Sequence, residues 1–136
     1  MIVPYRALVT KKGVDMKIRE SEEMYLETIL VLKNRLNFVR SIDIAEELGY
    51  SRPSVSRAVG LLSRKEYIKI GNNGEITLTE SGEQRAKEIY ERHELITHFL
   101  MELGADIDVA EDNACRIEHV ISPELFELLK KRRNQK

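Results

Sequence analysis

The sequence predicts a mainly α-helical protein with one small β-hairpin: a winged helix-turn-helix domain followed by a helical dimerisation domain. Three observations predict it. Residues Ser41 to Lys65 form two short amphipathic segments separated by Gly49-Tyr50. Two strand-like runs, Tyr67 to Ile70 and Glu75 to Leu78, follow at once around the turn Gly71-Asn72-Asn73-Gly74. From Thr79 onward the apolar residues recur only at helical spacing.

The 136 residues fit one domain, or a small domain with a helical extension. The single cysteine excludes an internal disulfide. No apolar run reaches the length of a membrane span, and Met1 to Glu20 lacks the apolar core of a signal peptide, so a cytoplasmic location is expected. The net charge of −1 gives no global signature of nucleic-acid binding, yet a local basic patch is sufficient. Arg40, Arg52, Arg57, Arg64, Lys65 and Lys69 concentrate positive charge in one stretch.

Residues 1–20 read as an N-terminal extension, with Val3-Pro4-Tyr5 extended and Lys11-Lys12-Gly13 a turn. Residues 21–79 read as the DNA-binding domain. Its first helix is expected over Glu20 to Leu36, with Ser21 as N-cap and Tyr25, Ile29, Leu32 and Leu36 as the core stripe. Met24 and Glu27 share a neighbouring face. Ser41 is expected to cap the next helix, and Ser51 the one after it, with Pro53 in its first turn. Ala45 permits close helix crossing, Gly49 permits a positive-φ turn, and Val55 anchors the second helix. The exposed face of that helix offers Ser51, Arg52, Pro53, Ser54, Ser56 and Arg57 to base edges and phosphates, while Arg40 and the wing residues Asn72 and Asn73 face the DNA backbone.

Residues 80–136 read as the metal-binding and dimerisation domain. A long helix is expected from Thr79, its cap, to Leu103, with Ile89, Ile96, Phe99, Leu100 and Leu103 apolar and Gly82 costing little near its start. A second helix runs from Asp106 to about Ile121, and a third starts at Ser122-Pro123-Glu124 with Leu125, Leu128 and Leu129 apolar. These helices are too elongated to close a core alone, which points to a homodimer. Within the second helix, Cys115, Glu118 and His119 stand at i, i+3 and i+4, so a thiolate, a carboxylate and an imidazole project from one stripe. Such a set suits a transition metal of intermediate softness. The competing reading is a core thiol beside a solvated Glu/His pair.

The segments Glu23 to Ile29, Ile44 to Val59, Arg92-His93-Glu94-Leu95 and Ala114 to Ser122 make the sequence resemble the diphtheria-toxin-repressor family of iron- and manganese-dependent transcriptional regulators. The resemblance covers about Glu20 to Leu129 and implies the short, two-domain form without an SH3-like domain. It implies a primary metal site of Met24, Cys115, Glu118 and His119, iron-like at Met24 and Cys115, and manganese-like at Glu27. His93 matches the ancillary site, where Thr97 replaces the usual acid and Glu111 the usual His; Glu111 lies one turn before Cys115 on the same stripe and is kept as an ancillary candidate. Thioether and thiolate favour Fe(II), then Mn(II) by resemblance, with Co(II), Ni(II) or Zn(II) able to substitute. The implied function is a metal-dependent repressor of metal uptake genes that binds a palindromic operator on double-stranded DNA as a dimer.

Two other readings fit parts of the sequence. His93-Glu94-Leu95-Ile96-Thr97-His98 looks like a zinc-protease helix, but histidines five apart diverge by about 140° and cannot share one metal, so no enzyme is expected. His98 instead pairs with Glu94 on the surface. The stronger competitor is a winged-helix regulator that responds to an organic ligand or to oxidation of Cys115, without a metal.

Overall fold

The computed structural model describes residues 18–135, with side chains from Ser21 onward. The expected extended and turn segments at Val3 to Gly13 lie outside the described residues. Among the described residues there are six helices and one hairpin: α1 Ile18–Arg35, α2 Ser41–Leu48, α3 Arg52–Arg64, β1 Ile68–Ile70, β2 Ile76–Leu78, α4 Glu80–Glu102, α5 Ile107–Ile117 and α6 Pro123–Asn134. Two compact units divide between Glu88 and Ile89, inside α4.

The first unit is built on the apolar faces of α1, α2 and α3. Leu26, Ile29, Ile44, Leu48, Val55 and Leu62 are buried, each at the i, i+3 or i+4 spacing that gives a helix one inward face. Helix α1 is already running at Ile18, so Ser21 lies within it and is not its cap. Tyr25, Ile29 and Leu32 are buried as expected, but Leu36 follows the last helical residue and is 40% exposed. Ser41 is the first residue of α2 and not its cap. Arg40, at φ −125°, holds the cap position, and its backbone N–H donates to the Asp43 carboxylate at 2.8 Å. An acid three residues on thus displaces the hydroxyl expected in that role.

Gly49, at φ 73°, closes α2 in the left-handed conformation, and its N–H donates to Ala45 O at 2.8 Å. Ser51 caps α3 as expected, its Oγ accepting from Ser54 N at 3.3 Å, with Pro53 in the first turn. Helix α3 stops at Arg64, where Glu66 takes φ 64° and Tyr67 N donates to Leu62 O at 3.0 Å.

The hairpin is antiparallel, pairing Ile68 with Leu78, Lys69 with Thr77 and Ile70 with Ile76. Ile68 and Ile76 point inward and are buried. Ile76 N also donates to Val39 O at 2.7 Å, which fastens the wing to the segment before α2. Thr79 caps α4 by accepting from Gly82 N at 3.1 Å. Gly82 carries more weight than its position near a helix start implies: a Cβ there would stand 1.9 Å from Tyr67 O. Ion pairs add to this unit. Glu22 pairs with Lys65 and with Arg85 at 3.3 Å, and Glu23 pairs with Arg85 at 3.7 Å.

The second unit encloses a small core of its own: Leu95, Ile96, Ala114, Ile121 and Phe126, flanked by Phe99, Leu100, Ile117 and Leu129. This corrects the expectation that these helices could not close a core alone. It also corrects α6, where Phe126 is the buried residue while Leu125 and Leu128 are about half exposed. Leu103 is 84% exposed because α4 has ended at Glu102, with Gly104 beyond it at φ 109°. Asp106 caps α5 through Val109 N at 2.9 Å, and Ser122 caps α6 through Leu125 N at 3.1 Å. Helix α5 ends at Ile117, earlier than expected, because the chain tightens into a turn in which Val120 N donates to Ile117 O.

Candidate metal centre and nucleic-acid interface

The helical spacing of Cys115 and Glu118 survives the early end of α5, because Glu118 keeps right-handed helical angles of φ −60° and ψ −25°. His119 lies one residue further, in the turn. All three are buried, as are His93 on α4 and Glu111 one turn before Cys115.

Folding brings His93 to the motif. Its Nδ1 and Glu118 Oε2 share a hydrogen bond of 2.8 Å, and the same nitrogen stands 3.8 Å from Cys115 Sγ. Its Nε2 has no hydrogen-bond partner, and Glu111 Oε2 stands 3.9 Å away. The other Glu118 oxygen lies 3.3 Å from His119 Nε2. A carboxyl group with no exposure to solvent is thus flanked by two imidazoles, which offset the cost of burying its polar atoms.

Donor atoms of His93, Cys115 and Glu118 lie within 4.8 Å of one another. One imidazole, one thiolate and one carboxylate fit a divalent transition metal better than they fit a hard oxygen-seeking cation. The sequence placed His93 only with the ancillary ligands, whereas the fold sets it against Cys115 and Glu118. Thr97, where the ancillary acid was missed, is buried with its hydroxyl unbonded. His98 is half exposed and pairs with Glu102 at 3.3 Å, not with Glu94.

Met24 and Glu27 are buried residues of α1, one turn apart. The Tyr50 hydroxyl, from the turn between α2 and α3, donates to Met24 Sδ at 3.6 Å. Burial pushes the Tyr50 phenol up to about 12, with neighbouring Tyr25 adding to the shift. Burial raises the Tyr25 phenol too, opposed by the charge of Arg57 on α3. Sequence reasoning missed Tyr50; an aromatic hydroxyl inside a tight turn was its one signal.

Arg52, Pro53, Ser56 and Arg57 are exposed along one side of α3, and Ser54 is partly so. Ser54 Oγ accepts from Ser51 Oγ at 2.9 Å and from Arg57 at 3.4 Å, which holds the guanidinium along the helix start. Arg40 is also exposed. Its Nε donates to Asn73 O at 3.2 Å and its guanidinium lies 5.9 Å from the Phe38 ring centroid. Asn72 and Asn73 are exposed at the wing tip.

The N-terminal DNA binding domain of iron dependent repressors matches residues 17–74, and the metal binding and dimerisation domain of the same repressors matches residues 79–135. An uncharacterised HTH-type transcriptional regulator of Methanocaldococcus jannaschii is 36% identical over 113 residues, which cover 82% of this chain and 90% of that one. The transcriptional regulator MntR of Escherichia coli is 32% identical over 109 residues, covering 80% of this chain and 70% of MntR. Among solved structures, the manganese regulator SloR superposes with a TM-score of 0.74 at 31% identity, over 85% of this chain and 54% of that one. The chain spans about half the length of the solved manganese regulators it matches.

A winged helix-turn-helix joined to a helical unit with a buried Cys/Glu/His cluster defines a metal-dependent transcriptional regulator. The chain belongs to the iron-dependent repressor family, with a DNA-binding domain followed by a metal-binding and dimerisation domain. No helix among the described residues is long and apolar enough to cross a membrane.

Proposed function

We propose that this chain is an Fe(II)-responsive repressor of metal uptake genes that acts in the cytoplasm as a homodimer on a palindromic operator. The observation that carries this reading is the convergence of His93, Cys115 and Glu118 donors in a buried cluster of intermediate softness. In this reading Met24, Glu27 and His119 complete the ligand set, as the family resemblance implies, and Glu111, 3.9 Å from His93 Nε2, is an ancillary ligand. Arg40, Ser51, Arg52, Pro53, Ser54, Ser56, Arg57, Asn72 and Asn73 form the DNA surface. An ion held by Met24 and Glu27 together with the Cys115 motif would supply the bias of a dimer toward a recognition-helix separation of about 34 Å, one turn of DNA. The reading assigns no catalytic step to the chain.

Mn(II) is the second reading, favoured by the acid at Glu27 and by the manganese regulators among the relatives. A metal-free regulator responding to an organic ligand or to oxidation of Cys115 is the third. Anaerobic binding to a family-type palindrome, with Fe(II), with Mn(II) and with chelator, separates all three. A rise in affinity with Fe(II) alone supports the proposal, a rise with Mn(II) alone transfers it to manganese, and equal binding in chelator overturns it.

A further inference from the structure

We propose that Tyr50 is a positioning residue for the Met24 thioether, and that it joins metal loading to the helix-turn-helix. This rests on the reading of Met24 as a metal ligand. The observation is the Tyr50 hydroxyl 3.6 Å from Met24 Sδ. Met24 is 1% exposed, so its sulfur lies out of reach of bulk solvent, and the phenol is a donor that reaches it.

A thioether sulfur has two lone pairs. One accepts the Tyr50 proton, which orients a side chain with three rotatable bonds and leaves the other lone pair for a soft cation. Without the hydroxyl, that orientation must be selected at the moment of metal binding, at a cost in conformational freedom.

The place of Tyr50 in the fold makes the contact more than local. It follows Gly49, whose positive φ makes the turn, and precedes Ser51, which caps α3. Tyr50 N donates to Ala45 O at 3.2 Å, so its backbone is fixed by the end of α2. Its ring stands 6.2 Å from that of Tyr25, and Tyr25 feels the charge of Arg57 on the exposed face of α3. The sulfur of a ligand residue is therefore tied, through one phenol, to the turn that aims the recognition helix. A cation held by Met24 would draw on the same sulfur that accepts from the phenol of that turn.

The test is a double-mutant cycle read by Co(II) titration of the whole chain under anaerobic conditions. Tyr50→Phe removes only the hydroxyl. It is expected to weaken Co(II) binding roughly threefold to tenfold, the range for loss of one modest hydrogen bond. In a Met24→Leu background the same substitution is expected to change Co(II) affinity by less than about twofold, since the acceptor is gone. Apo-protein unfolding and apo DNA affinity are measured alongside, and Tyr50→Phe is expected to leave both near wild type while the metal-induced gain in DNA affinity shrinks. An equal loss of Co(II) affinity in both backgrounds overturns the proposal, as does unchanged affinity for Tyr50→Phe where Met24→Leu alone weakens binding. If neither Met24→Leu nor Cys115→Ala weakens Co(II) binding, the metal-ligand reading itself fails, and this inference with it.

Discussion

His93 Nδ1 and Glu118 Oε2 share a hydrogen bond of 2.8 Å, joining two buried residues 25 positions apart. Removing the imidazole takes a hydrogen-bond partner from a buried carboxyl group. His93→Leu is therefore expected to destabilise the metal-free chain by about 1–3 kcal/mol, the usual cost of stranding a buried polar group. Urea unfolding in chelator measures this. An unchanged midpoint would mean that the Glu118 carboxyl group is satisfied without His93.

Gly82 is fixed by a close approach and not by its backbone angles. Thr79 N donates to Tyr67 O at 3.0 Å, and this same carbonyl stands where a Cβ on residue 82 would go. Gly82→Ala must push the start of α4 off the hairpin. The expected cost is about 3 kcal/mol, near the top of the range for an overpacked contact. Thermal unfolding of this variant against Gly60→Ala, where a Cβ meets Arg64 Nη1 at an ordinary 3.7 Å, separates the steric effect from the loss of a glycine.

Glu83 carries the pH prediction. The hydrogen bond from Lys33, and then its charge, hold the Glu83 carboxyl below its ordinary range, with Lys87 adding to the effect. A carboxylate lowered in the folded state stabilises folding above its unfolded pKa, and that contribution is lost as pH falls through the folded value. The pair is exposed, so the contribution to stability is small. An NMR titration should find the Glu83 midpoint depressed, moving up in Lys33→Met. A midpoint unmoved by that substitution would show that Lys33 is not the cause.

Arg52 and Arg57 stand exposed at the start of α3. If each meets a phosphate, replacing either by alanine should weaken binding to all sequences alike and reduce the salt slope of DNA affinity by about 1. A base contact instead relaxes the preference at one operator position. Filter binding across a salt series, on matched and mismatched duplexes, distinguishes these outcomes, and an affinity equal to wild type on every duplex removes both residues from the interface.

The sequence was most legible where structure is decided within a few residues. Ser51, Gly49, Asp106 and Ser122 act at short range, and each performs the turn or cap its type implies. Errors fell where an apolar stripe outlasted its helix. Leu36 and Leu103 continue the periodicity of α1 and α4 but lie past their ends, so they face solvent. The cap of α2 was misplaced because Asp43, inside the helix, reaches back to Arg40. In the candidate site, Cys115 and Glu118 were visible from their spacing. The approach of His93, and that of Tyr50 to Met24, required tertiary contacts that no local pattern encodes. Gly82 belongs with these, because its neighbour is a backbone carbonyl 15 positions away.

The hold of Arg40 on the wing has an evolutionary consequence. Its guanidinium grips the carbonyl of Asn73, a group that every amino acid supplies, and not the side chain. The two residues at the wing tip can therefore drift in sequence without releasing the hairpin. A lineage, or a designer, can exchange Asn72 and Asn73 to retune contact with a new operator while the scaffold stays put. Arg40 itself is the residue that such drift cannot spare.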